Sequence, residues 1–209
     1  MTAESEIPCP LCGDHGLIAY HDRPAAACAR CGALERQRAL VIELGDALAR
    51  TGSGRCLEVA PLNAWVFGGF LRERGWQYEG VDKRLLREHS DPGGFDDFID
   101  LDRDLADLHG LATGGYELVI LQHVLEQVVD YRAALDELAR VLEPGGRALL
   151  EIPGHTQART EIKPHDQYGN RWTFGDDVVE DLRRRFADVR RHKAALGRYR
   201  GSFYVCVGA

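Results

Sequence analysis

Short, nearly continuous apolar runs alternate along much of the chain with segments that repeat apolar residues at helical spacing. Runs of the first kind are typical of parallel strands covered on both faces, and segments of the second kind are typical of amphipathic helices. The predicted strands are residues 56–59, 77–81, 116–122, 147–152, 189–195 and 202–207. The predicted helices are residues 33–50, 65–74, 131–142 and 178–186. The alternation from Arg55 to Ile152 predicts an α/β fold with a doubly wound, Rossmann-like, mostly parallel sheet.

Two stretches interrupt this pattern. Residues 51–54 (TGSG) end the first predicted helix, because glycines can adopt the left-handed conformation that caps a helix. Residues 153–176 have low periodicity and contain His155, His165, Tyr168, Arg171 and Trp172. Connections longer than about 12 to 15 residues in a compact domain are usually functional or disordered. The aromatic residues favour a function, and we expect Tyr168, Arg171 and Trp172 to shape a substrate pocket.

Composition narrows the class of partner. The chain has 209 residues, of which 44% are hydrophobic, which is enough for one full α/β core and a small appendage. No apolar run approaches the roughly 18 to 20 residues of a membrane span, and the amino terminus lacks a signal-peptide pattern. We therefore expect a cytoplasmic protein with no membrane partner. The net charge of −7 argues against nucleic acid as the partner, because phosphate contacts need lysine and arginine.

The six cysteines divide into two C-x-x-C pairs, Cys9/Cys12 and Cys28/Cys31, and two single residues, Cys56 and Cys206, in apolar runs. The single cysteines are expected to be small buried hydrophobic residues. Two C-x-x-C pairs predict a zinc ribbon, because the four thiolates can surround one tetrahedral Zn²⁺ and leave no open position for chemistry. Two disulfides are the alternative, which would require an oxidising compartment. Residues 1–32 are too few to bury a hydrophobic core. The metal must therefore supply the free energy that folds this segment.

The carboxyl end of the first strand of the sheet is the expected ligand site. In open α/β sheets ligands lie at the carboxyl ends of the strands, where turn and helix N–H groups are unpaired. Glu58 and the turn 60–63 would form the floor of this site, although the usual glycines are missing. Asp82 ends the next strand, and an acidic residue there commonly binds ribose hydroxyls; a surface carboxylate in a turn is the alternative.

Motifs along the chain resemble those of class I S-adenosylmethionine-dependent methyltransferases. The run YELVILQHVLEQVVDYRAALDELARVLEPGGRALLEIP is similar to the fourth strand, helix and fifth strand of these enzymes. More narrowly, the chain resembles the zinc-ribbon-bearing, methyltransferase-domain (type 11-like) group, in which a C-G-x-L-E-R-x-R helix follows the ribbon and an A-P sequence replaces the glycine loop. Residues 31–38 (CGALERQR) and 59–61 (VAP) carry this resemblance. A dinucleotide site would need glycines for the approach to a pyrophosphate, which S-adenosylmethionine does not have.

The resemblance implies a seven-stranded sheet and assigns roles to particular residues. Glu58, Ala60, Pro61 and Leu62 would lie under the methionine part of the cofactor. Asp82, with Lys83 beside it, would bind the ribose, and Asp104 and Leu105 would hold the adenine, with Asp100 or Asp102 as alternatives for Asp104. Gln122 and His123 would line the pocket near the sulfonium. The implied domains are a zinc ribbon at 1–32, a connecting helix at 33–52 and a methyltransferase domain at 53–209.

The expected reaction is methyl transfer from S-adenosylmethionine to a small or medium-sized acceptor, such as a biosynthetic metabolite, with S-adenosylhomocysteine as product. The enzyme mainly has to align the nucleophile of the acceptor with the methyl group of the cofactor. A weak nucleophile must also lose a proton to a base. His123, His155 and His165 are the candidate bases, because the unperturbed histidine pKa suits this role. The alternatives are an rRNA or tRNA methyltransferase whose ribbon binds RNA, a non-catalytic zinc-ribbon binding protein, and a related transfer from the same cofactor or its decarboxylated form.

Overall fold

The computed structural model describes residues 7–49, 54–62, 64–83, 98–101, 107–153, 157–166 and 169–209. The amino-terminal part is a hairpin of strands β1 (Leu17–Tyr20) and β2 (Arg23–Cys28), which pair antiparallel. Helix α1 (Glu35–Leu48) follows it. Gly13 and Gly32, which follow the two cysteine pairs, have φ of 77° and 72°. This left-handed backbone is accessible to glycine, and it turns the chain tightly after each pair.

Seven strands form the main sheet in the described part of the chain, as predicted. They are β3 (Gly54–Val59), β4 (Trp76–Lys83), β5 (Phe98–Leu101), β6 (Tyr116–Gln122), β7 (Leu142–Glu151), β10 (Asp188–Leu196) and β11 (Tyr199–Val207). Their order is β10-β11-β7-β6-β3-β4-β5. Strands β7, β6, β3, β4 and β5 are parallel, and β11 is antiparallel to both β7 and β10. The expected Rossmann-like, mostly parallel sheet is confirmed.

Helices cover both faces of this sheet, and each face has its own core. Alternate residues of the strands point to opposite faces. On one face Cys56, Leu118 and Leu149 pack with helices α1 and α2 (Ala64–Arg72). On the other face Leu57, Val119 and Leu150 pack with helices α3 (Tyr131–Val141) and α4 (Val178–Arg183). The first face will be called the α1 face. Cys56 and Cys206 are buried, as expected.

Helix α1 runs opposite to the parallel strands. Its last turn lies at the amino edge of the sheet, because the indole Nε1 of Trp76, the first residue of β4, donates to the carbonyl of Leu48 at 3.1 Å. The helix has 14 residues with a kink at Leu44, and a straight helix of that length would extend about 21 Å. The first turn of α1 and the cysteine hairpin therefore lie towards the carboxyl edge of the sheet, where ligands bind in open α/β folds.

Tertiary pairing adds strands that periodicity did not predict. Within the predicted irregular segment 153–176, β8 (Glu161–Ile162) pairs antiparallel with β9 (Trp172–Thr173). Strand β5 likewise forms in a segment rich in aspartate, where it extends the sheet beside β4. Two-residue and four-residue strands have too few positions to show a period. Among the described helices, none is long and apolar enough to cross a membrane.

Candidate active site and metal centre

The carboxyl ends of three adjacent strands, β3, β6 and β7, place polar side chains on the α1 face. In register, Val59 of β3 pairs with Val81 of β4 and Leu121 of β6, and Gln122 of β6 pairs with Glu151 of β7. The alternation of side chains puts Glu58, Gln122 and Glu151 on the same face as the buried Cys56 and Leu149. Two carboxylates and an amide therefore form a row across the top of the sheet, beneath the first turn of α1.

The turn after β3 has a backbone conformation that is rare for its residue type. Ala60 has φ of 49°, and its N–H donates to the carbonyl of Val81 at 2.7 Å. A non-glycine residue in this region costs about 1 to 2 kcal/mol. Pro61 is buried and Leu62 is half-buried. The A-P sequence thus adopts a left-handed turn without glycine, held by a hydrogen bond to the neighbouring strand.

Glu58 is a buried carboxyl group, with 3% of its surface exposed. The hydroxyl of Tyr78 donates to its Oε2 at 2.5 Å. Burial raises the pKa of Glu58 to about 8, although the hydrogen bond from Tyr78 and the charge of Arg36 act in the opposite direction. The group is therefore mostly protonated at neutral pH and is ready to ionise when a cation comes within reach.

Asp82 is buried near the end of β4, level with Asp100 of β5. Lys83 ends the same strand, and its side chain is not described. Asp102, Asp104 and Leu105 lie outside the described residues, so the predicted adenine site stays a prediction. Asp82 follows Val81, which pairs with Val59 and accepts from Ala60, so it lies beside the turn after β3; its role as a ribose ligand stays a prediction.

His123 follows β6 and is held between two buried carboxylates. Its Nδ1 lies 3.0 Å from Oε1 of Glu126, and its Nε2 lies 3.0 Å from Oε1 of Glu151. Burial lowers the pKa of His123, but the hydrogen bonds and charges of the two glutamates outweigh that effect and raise the pKa to about 9. The imidazole is a cation at neutral pH with both nitrogens engaged. A backbone φ of 56° at His123 adds local strain, which often marks functional positions.

Glu151 accepts two further hydrogen bonds. The amide of Gln122 donates to Oε2 at 3.0 Å, and the hydroxyl of Tyr199 donates to Oε1 at 2.6 Å. Tyr199 can reach Glu151 because its ring lies over Gly201, where an added Cβ would sit only 1.8 Å from the tyrosine hydroxyl oxygen. The end of β7 is therefore a fixed polar cluster of Gln122, His123, Glu151 and Tyr199.

Sequence reasoning missed Glu126, Glu151 and Tyr199. Glu151 had a usable signal, since it is the one charged residue among the apolar residues 148–152 at the end of a predicted strand. Tyr199 had none, because it lies in a segment that the pattern assigns to a turn. Its position depends on the pairing of β11 with β7.

The β8–β9 hairpin docks on the segment that follows β6. The backbone N–H groups of Arg171 and Trp172 donate to the carbonyl of Glu126 at 2.6 and 3.1 Å. The indole of Trp172 donates to the carbonyl of Val128 at 2.9 Å and packs edge-on against Tyr131. Trp172 thus anchors the hairpin at the carboxyl edge. His165 is exposed between the two strands, and His155 and Tyr168 lie outside the described residues.

The four paired cysteines converge, as the zinc-ribbon prediction requires. All four Sγ atoms lie within 4.8 Å of one another, with 3.7 Å between Cys9 and Cys31 and 3.5 Å between Cys12 and Cys28. Tetrahedral zinc thiolates with bonds of about 2.3 Å would have sulfurs about 3.8 Å apart. The hydrogen bond between Cys31 and Cys9 lowers the pKa of Cys9 to about 5 and raises that of Cys31. A bound metal cation would stabilise all four groups as thiolates at this spacing.

A seven-stranded sheet in this order, with a polar site at the carboxyl ends of its strands, defines the Rossmann-like methyltransferase class. The methyltransferase domain family matches residues 24–189, and the chain belongs to that family. Its sheet has the fold of the S-adenosylmethionine-dependent methyltransferases, and the chain carries a methyltransferase domain. No curated protein matches it.

Solved structures share the fold at low sequence identity. An S-adenosylmethionine-dependent methyltransferase from Mesorhizobium loti is 16% identical, with a TM-score of 0.59 over 78% of this chain and 95% of that chain. The 1,6-didemethyltoxoflavin-N1-methyltransferase of Burkholderia thailandensis, solved with 1,6-didemethyltoxoflavin and S-adenosylhomocysteine, is 12% identical. Its TM-score is 0.60, over 82% of this chain and 76% of that chain.

Proposed function

We propose that this methyltransferase acts on a small or medium-sized acceptor, such as a biosynthetic metabolite, and that its zinc ribbon is structural. One observation carries the proposal. Two small elements border the carboxyl edge of the sheet: the junction between the ribbon and α1, and the β8–β9 hairpin that docks on Glu126. An acceptor bound between them would meet a pocket walled by short segments of this chain. The Burkholderia structure, which holds a small heterocycle, supports the same size class.

The distribution of charge supports a small molecule over RNA. Four arginines near the carboxyl terminus, Arg184, Arg185, Arg190 and Arg191, pair with carboxylates. Arg184 contacts Asp181 at 2.7 Å, and Arg190 contacts Asp188 at 2.8 Å. Arginines that already have acidic partners are poor counterions for phosphates.

We propose the cofactor contacts that the family resemblance implies. Glu58 and residues 60–62 would contact the methionine part, Asp82 and Lys83 the ribose, and Gln122 and His123 the region of the sulfonium. Asp104 and Leu105 stay the proposed adenine ligands. For the acceptor, Tyr168 and Arg171 stay the proposed contacts, and Trp172 would act by holding the hairpin in place.

The cofactor supplies an electrophilic methyl group, and the acceptor atom forms a bond to that carbon as the carbon–sulfur bond breaks. What the protein contributes is alignment and, where the acceptor carries one, removal of a proton. His123 is a weak candidate for the base at neutral pH, because its ring is protonated and both nitrogens contact carboxylates. Its better-supported role is to fix Glu126 and Glu151. His155 and His165 stay candidate bases.

The zinc ribbon would use Cys9, Cys12, Cys28 and Cys31 as its four ligands. Since all four are protein thiolates, the metal would stabilise the fold and take no part in methyl transfer. The hydrophobic core on the α1 face includes Cys9 and Cys28 together with residues of the sheet. The metal would therefore hold the first turn of α1 at the carboxyl edge.

Radiolabelled methyl transfer tests the acceptor class. The purified protein is incubated with radiolabelled S-adenosylmethionine and a cell extract that has been separated into metabolite, RNA and protein fractions. We expect label in the metabolite fraction. Label that is confined to RNA and lost on ribonuclease treatment would refute a small-molecule acceptor. Isothermal titration that finds no binding of S-adenosylmethionine or S-adenosylhomocysteine would refute the whole proposal.

A further inference from the structure

The β8–β9 hairpin carries two cationic side chains on one face. Its register pairs Ile162 with Trp172, and the next pair towards the turn is Lys163 with Arg171, where the N–H of Lys163 donates to the carbonyl of Arg171 at 2.7 Å. Residues directly opposite each other in an antiparallel pair have their side chains on the same face, with Cβ atoms about 5 Å apart. Like charges in this arrangement are destabilising, and an anion bound between them would remove that cost.

The guanidinium of Arg171 has no anionic partner in the described part of the chain. Arg171 is half-buried, and its Nε is buried and unpaired. Lys163 has a contact of 3.3 Å with Oδ2 of Asp166, but that carboxylate also accepts from the backbone and side-chain N–H groups of Asn170. Glu161, the carboxylate of β8, is exposed and forms no ion pair with another described residue. The arginine is therefore without a counterion on this face.

The position of Arg171 distinguishes it from other arginines with an unpaired Nε. Arg36 and Arg38 on α1 share that property, so by itself it does not identify a ligand site. The backbone N–H of Arg171 donates to the carbonyl of Glu126 at 2.6 Å, and Oε1 of Glu126 lies 3.0 Å from Nδ1 of His123 at the end of β6. Two short contacts thus connect Arg171 to the polar cluster near the proposed position of the sulfonium.

Glu126 does not neutralise the arginine that docks on it. Its side chain is only 4% exposed, and its Oε2 is buried without a hydrogen-bond partner in the described part of the chain. No ion pair between the described residues joins Glu126 to Arg171, although their backbones are hydrogen-bonded. Glu126 instead pairs with His123. An arginine that is not paired with the carboxylate of its docking partner stays available to an external anion.

We propose that the methyl acceptor is a small acid, and that its carboxylate or phosphate group binds the guanidinium of Arg171 with the ammonium group of Lys163 beside it. The planar guanidinium can bind either anion through two parallel hydrogen bonds. The inference rests on the proposed small-molecule function and names its substrate class. Binding the anion at the hairpin orients the acceptor, so that its nucleophile can approach the methyl group near His123.

Fractionation of the acceptor pool tests the substrate class. The metabolite fraction of a cell extract is separated on an anion-exchange resin into retained acids and unretained neutral and basic compounds. Each pool is incubated with the purified protein and radiolabelled S-adenosylmethionine, and we expect the retained acids to accept the label. Alkaline phosphatase treatment of that pool distinguishes the two anions. It abolishes acceptance if the group is a phosphate ester and leaves acceptance unchanged if the group is a carboxylate.

Variants of the hairpin test the residue. Arg171→Met should raise the amount of the acid pool that gives the half-maximal rate by about 10- to 100-fold, the range for a hydrogen bond to a charged group, and should leave the maximal rate nearly unchanged. Arg171→Lys should recover part of this loss, because lysine keeps the charge without the planar fork. Arg159→Met, an exposed change in the same segment 153–176, is the matched control and should behave as the wild type.

Four results would contradict the inference. Label accepted only from the unretained pool would overturn the acidic acceptor and leave the small-molecule function intact. An unchanged half-saturating amount in Arg171→Met would overturn the assignment of Arg171. A loss that Arg171→Lys shares in full, with weaker binding of S-adenosylhomocysteine in isothermal titration, would do the same, because it indicates a structural role. Label confined to the RNA fraction would overturn the proposed function itself.

Discussion

Glu58→Gln is predicted to make the protein more stable above neutral pH and less able to bind its cofactor. The carboxyl of Glu58 has a pKa of about 8 in the folded chain against 4.5 for an unperturbed glutamate. Burial causes this shift, since only 3% of the residue is exposed. The folded state therefore holds a proton that the unfolded state loses. The protonated carboxyl favours folding fully below pH 4.5, and that contribution is lost as the pH rises through 8.

The magnitude follows from the two pKa values. Relative to a side chain that does not titrate, ionisation in the unfolded state lowers the free energy of unfolding by about 1 kcal/mol at pH 5 and by roughly 4 kcal/mol at pH 8. Glutamine keeps the shape and can still accept from Tyr78, but it has no proton to lose. The stability advantage of Glu58→Gln over the wild type should therefore grow by about 3 kcal/mol between pH 5 and pH 8.

Urea denaturation of both proteins at pH 5, 6.5 and 8 measures this difference. Tyr78→Phe is the matched control, because it removes a hydrogen bond that lowers the pKa of Glu58 and so should steepen the loss of wild-type stability with pH. An advantage of Glu58→Gln that stays constant from pH 5 to pH 8 would refute the reasoning. The same variant should bind S-adenosylmethionine more weakly, since an amide cannot provide the negative charge that the ammonium group of the methionine part requires.

Three other changes test separate parts of the molecule. Cys28→Ser should lose bound zinc in native mass spectrometry and should have a lower melting temperature. Cys56→Ala, which lies outside the cluster, should retain the metal. Zinc retained by Cys28→Ser would contradict the assigned ligands. Ala60→Val should reduce the free energy of unfolding by about 2 kcal/mol, because a β-branched residue strongly disfavours positive φ. Ala60→Gly should have a stability close to that of the wild type. Equal stability of the two variants would exclude strain in this turn. Glu126→Gln should lower the pKa of His123, measured by NMR, because it removes one of the two carboxylates that raise that pKa. An unchanged pKa would mean that the contact between Glu126 and His123 does not form in solution.

The fold could be predicted from the sequence because its strong signals are local. Long apolar runs such as Tyr116–Gln122 and regular helical spacing such as that of Tyr131–Val141 identified the central elements with ends close to the observed ones. The strand β7 begins earlier than predicted because its first residue, Leu142, pairs with Tyr116; the register then shifts across the E-P-G-G sequence, and pairing resumes at Arg147. The short strands β5, β8 and β9 were not predicted, because their sequences have no strand pattern. They are strands because they pair with a neighbouring strand.

The zinc centre was the most predictable part of the candidate site. Two C-x-x-C pairs require that both thiolates of each pair reach the same point, so spacing alone indicated the cluster that the structure shows. The cysteine spacing did not predict where the cluster lies in the fold. Its place at the carboxyl edge depends on the direction of α1, which the contact between Trp76 and Leu48 defines.

Periodicity and motif spacing act over a few residues, and they were enough to predict the class of fold, the cysteine cluster and the strand whose carboxyl end carries Glu58 and the A-P turn. Local patterns could not predict which polar groups meet at that edge. His123 between Glu126 and Glu151, and the hydroxyl of Tyr199, come from segments far apart in the chain. Their convergence follows from strand order, register and helix direction, and these properties depend on the packing of the whole sheet.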